Sequence, residues 1–189
     1  MRIERLRQDY DISVRWVFFP LHAETPSSGR ALEELFAGRG YNLEAMYQRM
    51  HGLMTQEGLV YGRRTHTYNS RLAQELATWA AARPEGGRLH GLIYRAYFVD
   101  GRNIGDVAVL VDLAETAGLP VDETRDLLEQ RTWSDAVDAD WALASRSGIT
   151  GVPTFAAGER QVVGAQPEPV LRQFLEAAGA QSRPTTTSG

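Results

Sequence analysis

The sequence predicts an α/β fold in which a long block of helices separates two β segments. Residues Ile12–Phe19 are rich in β-branched and aromatic side chains and end at Pro20, which is typical of a strand. The stretch Thr154–Val163 has two short apolar runs on either side of Gly158-Glu159, which predicts a hairpin. Because an isolated hairpin is only marginally stable, we expect it to share a sheet with the Ile12–Phe19 strand.

Between the two β segments, apolar residues recur at helical spacing. In one of these stretches Leu72, Leu76 and Trp79 lie on one face of a helix that Asn69 or Ser70 caps. The same spacing, with capping residues and helix-ending glycines and prolines, marks the other helices. We predict helices over residues 31–36, 42–51, 70–82, 86–99, 106–117, 122–130 and 134–147.

The two ends of the chain give different signals. Residues 2–9 carry apolar side chains on one helical face but have no capping residue, so we expect this helix to begin upstream of Met1. A last amphipathic helix is predicted over residues 167–178. Residues 180–189 are rich in Gln, Ser, Pro and Thr, which predicts a disordered tail.

Composition limits the classes of function. The 189 residues suit one domain, or one domain with an insert, and carry a net charge of -4, which argues against a nucleic-acid partner. The chain has no cysteine, which excludes a disulfide, a thiolate zinc site and a cysteine nucleophile within it. No long apolar run suggests a membrane span or a secretory signal, so we expect a cytoplasmic protein with no membrane partner.

One motif gives the sequence a family resemblance. Gly151–Phe155, followed by a hairpin and a helix, resembles the end of a thioredoxin fold. Over residues 2–178 the chain resembles the DsbA family, on its FrnE-like branch. The resemblance rests on Gly151–Phe155 together with Arg15-Trp16, Pro20-Leu21, Asn69–Arg71, Tyr97-Phe98, Gly105-Asp106 and Gly164–Pro167.

The resemblance implies a thioredoxin-like α/β fold of the DsbA type with a large all-helical insert. The thioredoxin-like part is assigned to residues 1–30 and 148–179, the insert to residues 31–147, and the tail to residues 180–189. The first strand of the fold is missing from this chain. In the family that strand lies between the second strand and the hairpin, so its loss leaves backbone groups to be satisfied in another way.

The same resemblance implies a binding site around Pro153. In the family this proline is cis, and the residue before it, here Val152, exposes its backbone to an extended substrate. The residues alone fit an ordinary proline that opens an edge strand equally well. For Asn69 a helix-cap role suffices, while the family places it on the active-site side. The predicted substrate-binding residues are Gly151, Val152, Pro153, Thr154, Asn69 and Gln166; no catalytic residue and no metal ligand is assigned.

The chain departs from the family in its defining chemistry. The family carries a Cys-X-X-Cys pair at the start of the first helix, and thiol–disulfide exchange requires a thiolate. We therefore expect the chain by itself to be inactive in this exchange. The true start lying upstream of Met1, another segment or partner filling the gap, and a rearranged remnant are three explanations, of which we favour the first.

Three functions remain open on the sequence. The first is a thiol–disulfide oxidoreductase that acts on proteins, peptides or small thiols. The second is a glutathione-binding enzyme similar to kappa-class glutathione transferases and 2-hydroxychromene-2-carboxylate isomerases; glutathione is the one cofactor considered. The third is a non-catalytic module that holds a peptide at the Val152-Pro153 edge. The segment Gly164–Gln166 favours the FrnE-like branch, and self-association into a homo-oligomer is left open.

Overall fold

The structure, a computed structural model, describes residues 2–183 apart from the side chain of Glu85. It divides into two compact units. One unit combines the chain up to Phe19 with the chain from Asp140 onward, and the other is Pro20–Ala139. The predicted insert, residues 31–147, begins and ends several residues later than this second unit.

Helices dominate the described residues, and the strands are short. In chain order the elements are α1 (Arg2–Asp9), β1 (Arg30–Ala31), α2 (Leu32–Phe36), α3 (Leu43–Gln56), β2 (His66–Thr67), α4 (Arg71–Ala81), a 3-10 helix (Pro84–Arg88), α5 (Leu89–Phe98), α6 (Val107–Ala117), α7 (Val121–Gln130), α8 (Ser134–Arg146), β3 (Thr154–Ala157), β4 (Arg160–Val163) and α9 (Glu168–Ala177). None of the helices in residues 2–183 combines the length and apolarity that crossing a bilayer requires.

The core of the Pro20–Ala139 unit lies among helices α4 to α7. Its fully buried members include Leu76, Leu89, Leu110 and Leu128, one from each of these helices. In each helix the apolar residues recur at helical spacing, so the helix presents one apolar face to its neighbours. Burying a leucine side chain contributes about 1.5–3 kcal/mol, which makes this cluster the main source of the unit's stability.

The boundaries of α6 show how local residues set a helix. The Asp106 carboxylate accepts a hydrogen bond from the Ala108 backbone N–H at 2.8 Å, and so caps the start. Gly118 ends the helix with a φ of 89°, a left-handed conformation that glycine adopts without strain. The predicted helix over residues 106–117 is therefore confirmed.

The predicted strand Ile12–Phe19 is wrong. These residues form no strand, and within residues 2–183 the sheets are two separate antiparallel pairs, β1 with β2 and β3 with β4. The expected sheet between Ile12–Phe19 and the hairpin is also absent from the described residues. The physical reason is that no described strand lies alongside this segment to take its ladder hydrogen bonds, so its high strand propensity is not expressed.

A buried carboxylate holds this segment instead. Asp140 in α8 accepts from Arg15 Nη2 at 3.0 Å with one oxygen, and from the Phe18 backbone N–H at 3.1 Å with the other. Asp140 itself is buried. The carboxylate therefore satisfies a backbone donor that a neighbouring strand would otherwise satisfy.

Removing that carboxylate tests its role. Asp140→Ala is expected to lower the free energy of unfolding by about 1–3 kcal/mol, because the Phe18 N–H loses its acceptor. Urea unfolding followed by circular dichroism measures the loss. Asp135→Ala, at an exposed position in the same helix, is the control and should cost less than ~1 kcal/mol. Equal losses for the two variants would contradict the role given to Asp140.

The two ends of the chain meet in the other unit. Leu6, Tyr10 and Leu171 form its buried cluster, which brings α1 against α9. Beyond α1, Asp11 N–H donates to the Gln181 carbonyl at 2.8 Å, and Arg183 N–H donates to the Asp9 carbonyl at 2.7 Å.

These bonds bear on the predicted disordered tail, residues 180–189. Residues 180–183 are ordered by pairing with the end of α1, including a bridge between Tyr10 and Ser182. The prediction of disorder is therefore wrong for residues 180–183. It rested on composition, which does not show a backbone partner far away in the sequence. Residues 184–189 lie outside the described residues.

Candidate functional site

The loop before β3 contains most of the predicted binding residues. The peptide bond between Val152 and Pro153 is cis. Val152 is 48% exposed, and Pro153 is exposed as well. The Thr154 hydroxyl donates to the Gly151 carbonyl at 2.7 Å, which closes the loop on itself. The loop thus presents Val152 and Pro153 to solvent while Thr154 holds its shape.

The hairpin fixes the direction of the backbone at this loop. Thr154 lies opposite Val163, and the Gly164 N–H donates to the Pro153 carbonyl at 2.8 Å. The Pro153 carbonyl therefore adds one bond to the end of the β3–β4 ladder, and Val152 lies outside that ladder. Within residues 2–183 the Val152 backbone makes no hydrogen bond. This leaves an edge that an extended segment can join.

Gln166 lies at the same end of the hairpin. Its side-chain nitrogen donates to the Val163 carbonyl at 2.6 Å, and its backbone N–H donates to the Gly164 carbonyl at 2.8 Å. Arg2 Nη1 donates to the Gln166 carbonyl at 2.7 Å. Gln166 is therefore engaged in holding the turn between β4 and α9. The structure thus brings Gly151–Thr154 and Gln166 together at one end of β3 and β4.

Asn69 belongs to the Pro20–Ala139 unit. Its side-chain nitrogen donates to the carbonyls of Ala23 at 3.3 Å and Thr25 at 2.8 Å. Its side-chain oxygen accepts from the Arg71 backbone N–H at 2.9 Å, at the first residue of α4. The Ser70 side chain makes no capping bond. Ser70 therefore occupies the N-cap position without a side-chain capping bond, while Asn69 satisfies the first backbone N–H of α4 and ties a loop to its start.

A buried ion network, which the sequence did not predict, lies beside Asn69. Glu75 in α4 is 0% exposed. Its Oε1 accepts from Arg71 Nε at 2.7 Å and from Arg131 Nη2 at 2.6 Å, and its Oε2 accepts from Arg131 Nε at 2.8 Å. Burial raises the pKa of Glu75, but the hydrogen bonds from Arg131 and Arg71 outweigh it and hold that pKa below its ordinary value. Glu75 is therefore a charged group at neutral pH.

One part of this network leaves a signal in the sequence. Arg71 and Glu75 are four residues apart, which is the spacing of ion pairs along one helix. Such pairs are usually exposed, so the spacing alone does not indicate burial. Arg131 is 56 residues away from Glu75 in the sequence, and no local pattern connects them.

Known proteins resemble this chain over most of its length. A family model described as a DSBA-like thioredoxin domain matches residues 1–176. The uncharacterized protein YwbO of Bacillus subtilis is 28% identical over 167 residues, covering 87% of this chain and 82% of that relative.

Two solved structures resemble the chain over most of its length. The crystal structure of a "probable DsbA oxidoreductase" from Streptomyces coelicolor has a TM-score of 0.73 and 33% identity, covering 79% of this chain and 68% of that one. A 2-hydroxychromene-2-carboxylate isomerase structure has a TM-score of 0.65 and 17% identity, covering 94% of this chain and 85% of that one. At that identity the second likeness concerns the fold alone.

Proposed function

Because the chain belongs to the DSBA-like thioredoxin domain family and has its fold, we propose that it serves thiol–disulfide exchange on protein or peptide substrates, as a FrnE-like member. The observation that carries this proposal is the exposed Val152, whose backbone has no hydrogen bond within residues 2–183. An extended peptide can pair with that backbone, as with the edge of a sheet. The 33% identity to a "probable DsbA oxidoreductase" supports the same reaction class.

In this proposal the chain supplies substrate binding, and the redox thiols come from outside this sequence, which has no cysteine. In the exchange, a thiolate attacks one sulfur of a disulfide, a mixed disulfide forms, and the other sulfur leaves as a thiolate. The Val152 N–H donates to the peptide backbone and its carbonyl accepts from it. These bonds hold the peptide extended, so that its sulfur is presented in one orientation.

The test removes the backbone donor of Val152. A fluorescently labelled, cysteine-containing peptide is titrated with the protein, and anisotropy reports binding. Val152→Pro removes the N–H and should weaken binding at least tenfold, whereas Val152→Ala keeps the backbone and should change affinity by less than about threefold. Since the Val152 N–H has no partner within residues 2–183, its loss breaks no described bond, and circular dichroism checks that both variants fold.

Equal affinities for the two variants would contradict the proposal. Glutathione is included as a competitor in the same titration. Displacement of the peptide by glutathione, with no difference between the variants, would favour a glutathione-binding enzyme over a peptide-binding exchange protein. The likeness to the isomerase concerns the fold alone, so it adds no support to that alternative.

A further inference from the structure

The Pro20–Ala139 unit contains a pocket that the proposed exchange reaction does not use. Its volume is about 200 Å³, and it is lined by Ser27, Asn69, Arg71, Leu72, Gly105 and Arg131. Two of these residues are arginines and none is a carboxylate. Arg71 and Leu72 are the first residues of α4, so the positive end of the helix dipole also lies at the pocket.

The two arginines differ in how many of their side-chain nitrogens already make hydrogen bonds. Arg71 donates from Nε to Glu75, from Nη1 to Asp138 at 2.7 Å, and from Nη2 to the Ser134 carbonyl at 2.8 Å. Each of its three nitrogens is therefore engaged. Arg131 uses Nε and Nη2 on Glu75, but its Nη1 makes no hydrogen bond within residues 2–183, and its side chain is 45% exposed.

Arg131 also has a backbone conformation that arginine seldom adopts. Arg131 follows α7 with φ 56° and ψ 37°, a left-handed conformation that glycine or asparagine normally takes at the end of a helix. Any residue with a Cβ is strained there. Glu75 holds the Arg131 guanidinium through Nε and Nη2, and Arg131 lines the pocket.

We propose that this pocket binds a small oxyanion, a carboxylate or a phosphate, through Arg131 Nη1. At about 200 Å³ the pocket is smaller than the ~300–1,000 Å³ of pockets for drug-sized ligands, so a small anion suits it. A guanidinium matches both carboxylate and phosphate oxygens, so the two anions share this chemistry.

Calorimetric titration of the whole chain with sodium phosphate, and separately with sodium acetate, tests the proposal at constant ionic strength. Saturable 1:1 binding of at least one anion is expected, and the tighter anion identifies the ligand class. The double variant Glu75→Gln, Arg131→Gln removes the free donor without changing net charge or stranding a buried carboxylate. It should bind at least tenfold more weakly.

The matched control is a second charge-neutral double variant in the same unit. Arg102 Nη2 donates to Asp112 at 2.7 Å in an exposed pair outside the pocket lining. Arg102→Gln, Asp112→Asn should leave anion affinity within twofold. Equal affinity in the two double variants, or no saturable binding of either anion, would overturn the proposal.

If the pocket variant does not fold, an NMR titration of the unaltered protein tests the site. In its nitrogen-detected NMR spectrum, the Arg131 side-chain resonances should shift progressively with anion concentration, while those of Arg102 stay in place. Arg131 resonances that do not move over the same titration would refute the site.

Discussion

Replacing Glu75 with alanine is expected to lower the free energy of unfolding by about 3–5 kcal/mol. The carboxylate is 0% exposed and accepts three hydrogen bonds from Arg71 and Arg131. Its removal leaves Arg71 and Arg131 without their shared acceptor around an emptied, buried position, and the loss of one partner of a buried ion pair is among the more costly defects in a folded protein. Urea unfolding monitored by circular dichroism measures the loss.

An exposed ion pair in the same unit is the control. Glu123 accepts from Arg83 Nη2 at 2.8 Å, and its side chain is 61% exposed. Glu123→Ala should cost less than ~1 kcal/mol, because solvent screens such pairs. A cost for Glu75→Ala no larger than that of Glu123→Ala would show that burial does not govern the network.

The pH dependence of stability gives a second measurement on the same residue. The pKa of Glu75 in the folded protein lies below its ordinary value of 4.5. Its contribution to the unfolding free energy is therefore complete above pH 4.5 and is lost as the pH falls through the lower, folded pKa. Glu75→Gln should make the acid-side decline shallower than in the unaltered protein. Parallel curves would exclude Glu75 as a source of that decline.

Gly86→Ala is expected to destabilise the protein by about 3 kcal/mol, at the upper end of the usual cost of overpacking. A Cβ built on Gly86 would overlap the carbonyl oxygen and carbon of Ala80, so backbone must move to admit it. At roughly 2–4 °C for each kcal/mol, the midpoint of thermal unfolding should fall by about 6–12 °C. Differential scanning calorimetry measures this shift.

The next residue provides a matched control. Gly87 lies in the same 3-10 helix, and a Cβ built there has nothing within 4 Å. Gly87→Ala should be neutral or stabilise by about 0.4–1 kcal/mol, because it reduces the freedom of the unfolded chain. A similar fall in midpoint for both variants would point to the loss of glycine itself and not to the contact with Ala80.

Local signals predicted the helices and the hairpin well. Asp106 and Gly118 mark the ends of α6 in the sequence and perform those roles in the structure. The predicted hairpin is confirmed by β3 and β4, in which Thr154 pairs with Val163. In each case the residues that decide the element lie within it or beside it, so no distant partner is needed.

Features that depend on distant partners were missed. Ile12–Phe19 has the composition of a strand, but strand formation requires a neighbour, and Asp140 binds this segment in its place. Glu75 is buried and pairs with Arg131 across 56 residues, whereas charged residues are ordinarily expected at the surface. The proposed binding residues Gly151–Thr154 come from a family resemblance, since their spacing alone also fits an ordinary edge strand.

The pairing of the chain's two ends dictates an order of events on the ribosome. Synthesis proceeds at ~5–20 residues per second, so Leu6 and Tyr10 are made well before Leu171. The buried cluster of Leu6, Tyr10 and Leu171 therefore cannot form until Leu171 has been synthesised. During that interval the apolar side chains of Leu6 and Tyr10 lack the cover that Leu171 gives them in the folded unit.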